Sequence, residues 1–453
     1  MKKVTIVGAG EIGAFLAGRL DSEKLAVTVI DRNAELLSAL QNTLDVAVIH
    51  GDATSIKDLA RADVRESDYF IATTRQDETN LISCLLAHQL GTPHKIAVTR
   101  YLGLRGQKSR FDSRPLGIDL MVNSSEAVKN EIMDVLETTG ASEVATFAQG
   151  RIVLVGAQIA ADSPVRGRSV GEVCPTPGGE HTFRVVCILR ERRLVEPTPA
   201  TVLAEGDYLY LIATQDSLPL LNAALGLETI KSRTAVIYGD NFLSQLTATA
   251  LLNRHFQVTM LVATQEKATF LKEHFANRRH FHVERGEATE VRLQRRVKVP
   301  TTSVFVATKS DDASNLTACM IAKHLGVGKT IATIKRTDIL PLCREAGVDV
   351  NVAPRLATAK VIQRMIHEGS VLEYRAVSQV NLEVVELEVR ERSKALRHPL
   401  GQLRLPEGVI VGGIVREGVP ALPTPETRME VHDKVIVLTP PEHLVEVEAL
   451  FGA

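Results

Sequence analysis

A glycine-rich hexapeptide, Gly8-Ala9-Gly10-Glu11-Ile12-Gly13, directly follows the apolar run VTIV and opens the helix-period stretch IGAFLAGRL. Glycines at this spacing allow a tight turn, close backbone approach to a pyrophosphate, and close packing of helix on strand. The N-terminus of that helix then faces the anion. The next apolar run, VTVI, ends in Asp31, eighteen residues after Gly13. An acid at that distance hydrogen-bonds the adenosine ribose hydroxyls and repels a 2′-phosphate, which favours NAD(H) over NADP(H). A GxGxxG pattern alone is weak, and it is the strand before, the helix after and the acid beyond that strengthen it. Arg32 leaves three alternatives open: tolerance of a 2′-phosphate, stacking on adenine, or a place in solvent.

Further polar groups stand immediately after apolar runs. Gly51-Asp52-Ala53-Thr54 follows VAVI and His50, Thr73-Thr74 follows YFIA, and Arg100 follows KIAVT. In an open parallel sheet the carboxyl ends of the strands line one crevice, so these groups converge on the glycine turn. Asp52 and Ala53 are expected near the adenine, Thr73 and Thr74 near the ribose or pyrophosphate, and Arg100 toward a phosphate or the distal part of the ligand. The bland readings are turn or cap residues for the threonines and an exposed ion pair for Arg100.

The elements that must carry these groups repeat. Each of the runs VTIV, VTVI, VAVI, YFIA and KIAVT is followed by a helix-period segment, which implies βα units and a parallel sheet. TAVI, VTML, HFHV, SVFV and TIATI recur in the same order later in the chain. Asp77 and Asp312 in ATTRQDETN and ATKSDDASN are 235 positions apart, as are Gly51 and Gly286. PTPAT at Pro197 and PTPET at Pro423 are 226 apart, and each precedes a turn, at Gly206-Asp207 and at His432-Asp433. The chain therefore reads as two copies of a two-part unit, although its 453 residues alone suggest about three domains. The expected segments are 1–136, 144–225, 232–366 and 371–453: an α/β Rossmann-like doubly wound domain, a small α+β domain, and the same pair again. Linkers are expected near 137–143, 226–232 and 367–370.

The second copy departs at the chemistry. Its turn reads Gly239-Asp240-Asn241-Phe242-Leu243-Ser244, and Val262 stands at the position of Asp31. This predicts that the second copy keeps the fold and binds dinucleotide poorly or not at all.

Composition narrows the rest. The 53 Lys+Arg nearly cancel the 54 Asp+Glu, and aromatic residues are only 4%, so neither a polyanion-binding charge nor a base-stacking surface is indicated. No nucleic-acid partner is expected. The balance, with mean hydropathy +0.04, is that of a globular protein. Met1-Lys2-Lys3 with the following apolar residues superficially resembles a leader, but Glu11 and Arg19 interrupt it, and it reads as strand and helix. Five scattered cysteines without a CxxC pair suit buried thiols in a reducing cytosol. The histidines have no metal-ligand spacing, and no metal is expected. Gly167-Arg168-Ser169-Val170-Gly171 matches a GxSxG nucleophile pattern, yet its flanks lack the required strand and long helix; Ser169 with Glu172 reads as a capping box. No catalytic residue is expected. Basic clusters at Arg105, Lys108, Arg110 and Arg114, and at Arg292, Arg295, Arg296 and Lys298, read as solvated faces, with a docking surface for an acidic partner or lipid head groups as the alternative.

In GAGEIG, Asp31, GDAT, ATTRQDETN, GVDV within GVDVNVAPRLAT, and the duplicated PTPxT segments, the chain resembles the TrkA family over its whole length. These are peripheral nucleotide-binding subunits of Trk-type bacterial potassium uptake systems, built from tandem regulator-of-potassium-conductance halves. The resemblance implies NAD contacts at Gly8 to Ile12, Asp31, Thr73, Thr74 and Arg100, with NAD(H) as ligand and ATP or ADP as alternatives at the same site. It also implies a cytoplasmic location on the inner face of the inner membrane, an integral Trk-type potassium transporter as partner, and gating of that transporter by bound nucleotide. GDNFLS and Val262 depart from the family pattern, in which a second glycine-rich turn and acid are common. A homo-oligomer is expected, either a dimer presenting four nucleotide domains or a larger ring. The rival readings are an NAD-dependent dehydrogenase, for which neither small domain offers an obvious His, Lys or Tyr for proton transfer, and a regulator of another cation transporter.

Overall fold

A computed structural model describes residues 2–23, 25–99, 114–137, 143–174, 183–191, 193–195, 197–227, 232–366, 371–376 and 382–452. Runs such as Val4-Thr5-Ile6-Val7 and Tyr69-Phe70-Ile71-Ala72 are buried at every position, so they need cover on both faces of a sheet. Strands β1 (Lys3–Val7), β2 (Ala26–Asp31), β3 (Ala47–His50), β4 (Tyr69–Ala72), β5 (His94–Thr99) and β6 (Leu120–Asn123) meet this need in one sheet, ordered β3-β2-β1-β4-β5-β6. All its pairings are parallel. The order reverses beside β1, which opens the crevice typical of doubly wound nucleotide folds.

Five strands form the next sheet: β7 (Glu143–Phe147), β8 (Ile152–Gln158), β9 (Phe183–Arg190), β10 (Arg193–Val195) and β11 (Tyr208–Thr214). Their order is β10-β9-β11-β8-β7 and the pairings are antiparallel. The architecture then repeats. Strands β12 (Thr234–Tyr238), β13 (Gln257–Val262), β14 (Phe281–Arg285), β15 (Val304–Ala307), β16 (Lys329–Thr333) and β17 (Val350–Val352) take the order β14-β13-β12-β15-β16-β17. The last sheet holds β18 (Val371–Ala376), β19 (Glu383–Glu388), β20 (Ile410–Arg416), β21 (Val419–Ala421) and β22 (Lys434–Thr439), ordered β18-β19-β22-β20-β21. Four sheets replace the three domains suggested by length. The sixth strand of each parallel sheet, β6 and β17, reads LMVN and VNV, where an asparagine ends or splits the apolar run.

The duplication extends to side chains. Asp207 accepts from Arg190 Nε and Nη2, both at 2.7 Å, and from the Ala204 amide at 2.8 Å. Asp433 repeats this with Arg416 Nε at 2.9 Å, Nη2 at 2.8 Å and the Glu430 amide at 2.7 Å. In the PTPxT turns the Thr198 amide donates to Thr201 Oγ1 and the Thr424 amide to Thr427 Oγ1.

The chain forms two compact units that do not follow its linear order. One comprises 1–127, 355–417 and 423–453; the other comprises 128–354 and 418–422. Within the first unit, Ala359, Ile362 and Ile366 of the helix Pro354–Ile366 join the core under Val4, Ile6, Leu16 and Leu20, and Lys2 Nζ donates to the Ile366 carbonyl at 2.7 Å. Within the second, Lys329 Nζ on β16 donates to the Val135 carbonyl, near the end of the helix Ser124–Glu137, at 3.3 Å. Each of these helices thus packs with the parallel sheet of the other copy. A cation at a helix C-terminus satisfies carbonyls that have no partner inside the helix.

Candidate nucleotide-binding site

The site is built at the reversal point of the first sheet. Gly8 leaves β1 with φ +99°, a conformation that favours glycine. Gly10 is the N-cap of the helix Glu11–Ser22, and no side chain caps that end among the described residues. Its first amides are therefore available to an anion, reinforced by the helix dipole. The three glycines have separable roles. A Cβ on Gly13 would stand 1.8 Å from the Gly8 carbonyl oxygen, so Gly13 permits helix to touch turn. A Cβ on Gly10 would meet nothing within 4 Å, so that flank of the turn is open. Glu11 is exposed and Ile12 half-buried, while the Ala9 side chain is buried in the core.

Asp31 closes the far side. Its Oδ2 accepts the Ala9 amide at 2.6 Å and its Oδ1 the Asn33 amide at 2.7 Å. A carboxylate has about four acceptor positions, so both oxygens retain capacity for hydroxyl donors. Asn33 caps the next helix, accepting from the Glu35 and Leu36 amides at 2.9 and 3.2 Å. Arg32, open in the sequence reading, pairs with Asp52 at 2.5 Å while its side chain stays 64% exposed.

The Gly51–Thr54 loop is tied by its own acids. Asp52 Oδ1 accepts from the Thr54 amide at 2.9 Å and from its hydroxyl at 2.8 Å. The Thr54 amide is the main cause holding the Asp52 carboxyl below its ordinary range; slight burial opposes it, and the Thr54 hydroxyl and Arg32 add to it. Asp58 accepts the Asp52 amide at 3.0 Å and so positions the loop. The Ala53 side chain is buried with Val7, Ile30 and Leu59, leaving its backbone as the part that can face a ligand.

The two threonines divide their work. Thr73 is buried, and its hydroxyl donates to the Val7 carbonyl at 2.9 Å with Gly8 O at 3.3 Å, buttressing the glycine turn from below. Thr74 is half-buried and held by Asn80, whose Oδ1 accepts the Thr74 amide at 2.9 Å and whose Nδ2 donates to the Thr74 and Val98 carbonyls at 3.1 and 2.8 Å. Asn80 and Asp58 escaped the sequence reading as positioning residues. A signal existed for Asn80: Asn315 repeats its bonds, from the Lys309 amide at 2.9 Å and to the Lys309 and Thr333 carbonyls at 2.8 and 2.9 Å. Arg100 lies outside the described residues, as do Arg105, Lys108 and Arg110.

At the matching place in the second copy the chain supplies its own helix cap. Asn241 Oδ1 caps the helix Phe242–Asn253, accepting from the Ser244 amide at 3.0 Å and its hydroxyl at 2.9 Å, and Asn241 Nδ2 donates to the Thr308 carbonyl. Glu287, in the position of Asp52, accepts from the Tyr238 hydroxyl and from Lys309 Nζ at 2.9 Å. Lys309, in the position of Thr74, also lies 5.0 Å from the centre of the Tyr238 ring. Burial raises the Glu287 carboxyl, but the bonds from Tyr238 and Lys309 outweigh it and hold the group below its ordinary range. Loss of the glycines is thus accompanied by a built-in cap and an ion pair where the first copy is open.

Other expectations resolve locally. The Ser169 amide donates to Glu172 at 2.8 Å within a capping box at the four-residue helix Val170–Val173, so the GxSxG match is a turn. All five thiols are free, four buried and Cys174 half-buried. Among the described residues no cluster of His, Cys, Asp or Glu could hold a metal, and no helix is long and apolar enough to cross a membrane.

The TrkA-N domain model matches residues 4–123 and again 235–354, and the TrkA-C domain model matches 154–226 and 384–452. The chain belongs to the TrkA family. It is 26% identical to the Trk system potassium uptake protein TrkA of Vibrio alginolyticus, over 99% of this chain and 98% of that one. It is 27% identical to the TrkA of Halomonas elongata, with the same coverage. Among solved structures it is similar to the GsuK RCK domain, with TM-score 0.59 and 19% identity over 99% of this chain and 95% of that one. It is also similar to the GsuK channel bound to NAD, with TM-score 0.58 and 19% identity over 99% and 79%. At such identity these two establish the fold, two tandem RCK-type halves.

Proposed function

We propose that the chain is a regulatory, non-enzymatic subunit of a Trk-type potassium uptake system, and that it binds NAD(H) through its first Rossmann-like domain. The observation that carries this reading is the pairing of an uncapped glycine turn, open at Gly10, with Asp31 at the neighbouring strand end. The relatives that match end to end are named as potassium uptake proteins, which supports the process and sets aside the dehydrogenase alternative. In this reading Gly8, Ala9, Gly10, Glu11, Ile12 and Gly13 cradle the pyrophosphate, Asp31 takes the ribose hydroxyls, and Asp52 and Ala53 flank the adenine. Thr73 and Thr74 shape the pyrophosphate side, and Arg100 completes the site. ATP or ADP, which share the adenosine and phosphates, compete for the same place.

The functional modules are 1–136, 144–225, 232–366 and 371–453, with the second Rossmann-like module as an unliganded scaffold. Bound nucleotide favours one arrangement of the modules, and the transporter at the cytoplasmic face of the membrane follows. Moving a two-state equilibrium from 1:99 to 99:1 takes about 5.5 kcal/mol of differential binding. With one site per chain, that is easier to reach in a homo-oligomer whose sites act together.

The test is potassium flux through a reconstituted Trk transporter with this chain, titrated separately with NADH, ATP and ADP. Flux should change with at least one nucleotide, and Asp31→Ala should shift that response to higher nucleotide concentration by about 10-fold to 150-fold. Flux that ignores all three would overturn the reading.

A further inference from the structure

The helix that begins at the glycine turn ends on a polar contact with distant parts of the chain. Arg19 Nη2 lies 2.9 Å from Glu383 Oε1 on β19, with side chains 16% and 0% exposed. At the end of the same helix, Glu23 Oε1 accepts from Gln363 Nε2 of the helix Pro354–Ile366 at 3.1 Å. Glu23 and Gln363 are both buried. All four residues belong to the unit formed by 1–127, 355–417 and 423–453.

The repeat supplies an internal comparison. Aligning Gly8 with Gly239 places Ala250 and Arg254 at the positions of Arg19 and Glu23. The Ile159 amide bonds the Asp207 carbonyl as the Val389 amide bonds that of Asp433, which places Val153 at the position of Glu383. Asp119 and Asp349 each donate their backbone amides to, or accept through their carboxylates from, the start of the neighbouring strand, and this register sets Met133 opposite Gln363. Val153 and Met133 are buried. The same fold positions therefore tolerate apolar residues, and a buried carboxylate is costly unless paired. Among the described residues, the unit whose glycine turn is open has the Arg19–Glu383 pair at these positions, where the other unit has Ala250 and Val153.

We propose that Arg19–Glu383 and Glu23–Gln363 form a relay that carries the occupancy of the glycine turn to the small domain 371–453. This rests on the nucleotide reading of Gly8 to Gly13. An anion held at the N-terminus of the helix Glu11–Ser22 fixes that end. A helix of this length is a rod of about 18 Å, and its other end holds β19 through Glu383. The four residues position this coupling and touch no ligand.

The experiment is amide hydrogen exchange on the full chain with and without NADH, alongside calorimetric NADH titration. In the wild type, NADH slows exchange in β19, β20 and β22 about fivefold or more, as well as around Gly8 to Gly13. The double variant Arg19→Met/Glu383→Leu, whose apolar pair resembles the second unit, binds NADH within about twofold of wild type. It keeps the slowing at the glycine turn and loses it in the small domain. Glu383→Gln, which retains shape and a hydrogen bond, weakens the slowing and serves if the double variant does not fold. Slowing in β19 that survives in the folded variants, or NADH binding in the wild type with no change there, overturns the relay alone. Wild-type protein that binds neither NADH nor ATP removes the nucleotide reading, and the relay with it.

Discussion

The backbone amide of Ala9 donates to Oδ2 of Asp31 at 2.6 Å, so the glycine turn and the end of β2 are joined as one piece. Asp31→Ala removes this brace and, in the proposed reading, the ribose acceptor as well. Losing one charged hydrogen-bond partner should lower NADH affinity about 10-fold to 150-fold in a calorimetric titration. Unchanged affinity would take Asp31 out of the site.

Gly10→Ala and Gly13→Ala should separate binding from folding. The Gly13 Cβ would stand 1.8 Å from a backbone oxygen, so that variant should lose about 1–3 kcal/mol of stability in chemical denaturation. The Gly10 Cβ enters open space, so stability should hold while NADH affinity falls about tenfold. Equal stability in the two variants would contradict this geometry.

Asn241 accepts the Ser244 amide at the helix start that corresponds to the uncapped one after Gly10, so the second domain has fewer free amides to offer an anion. Calorimetry on the wild type should therefore give a stoichiometry of about one NADH per chain. A value near two would show that the second domain binds despite its cap and its Tyr238–Glu287–Lys309 cluster.

Lys329 provides a pH signature. Burial pushes its ammonium down to about 8 from the ordinary 10.5; Asp349 opposes this and Lys323 adds to it. The folded-state value lies below the unfolded one, so between those pH values the unfolded chain holds more protons and stability rises with pH. Relative to Lys329→Met, the wild type should gain up to about 3 kcal/mol between pH 8 and 10.5, measured by urea unfolding. A flat difference over that window would mean the ammonium is better solvated than its surroundings indicate.

Arg190→Ala and Arg416→Ala should act alike, since each strands a buried carboxylate, Asp207 or Asp433. Both guanidinium groups are more than a third exposed, so the cost should be below that of a fully buried pair, about 2–3 kcal/mol each. Thermal unfolding of the two variants would reveal any inequality between the small domains.

Much of the site was legible because its determinants are local. A glycine turn between strand and helix, and an acid at the next strand end, depend on spacing along the chain, and Gly8 to Gly13 and Asp31 stand together as that spacing required. The roles of Thr73, Asn80 and Asp58 were not legible in the same way. Thr73 reaches back across 66 residues to Val7, and Asn80 clasps Thr74 and Val98 across a loop, contacts that only the sheet order creates. The defect of the second turn could be read from Asn241, Ser244 and Val262, but not the Lys309–Glu287 pair, whose members are 22 residues apart.

The amino-acid sequence by itself determined the duplication, the parallel sheets and the place of the glycine turn after β1, because periodicity and turn chemistry act over a few residues. Only the tertiary structure decided which sheet each of the helices Ser124–Glu137 and Pro354–Ile366 covers. The choice emerges from groups far apart in the chain: Lys2 at the Ile366 carbonyl, Gln363 at Glu23, and Lys329 at the Val135 carbonyl.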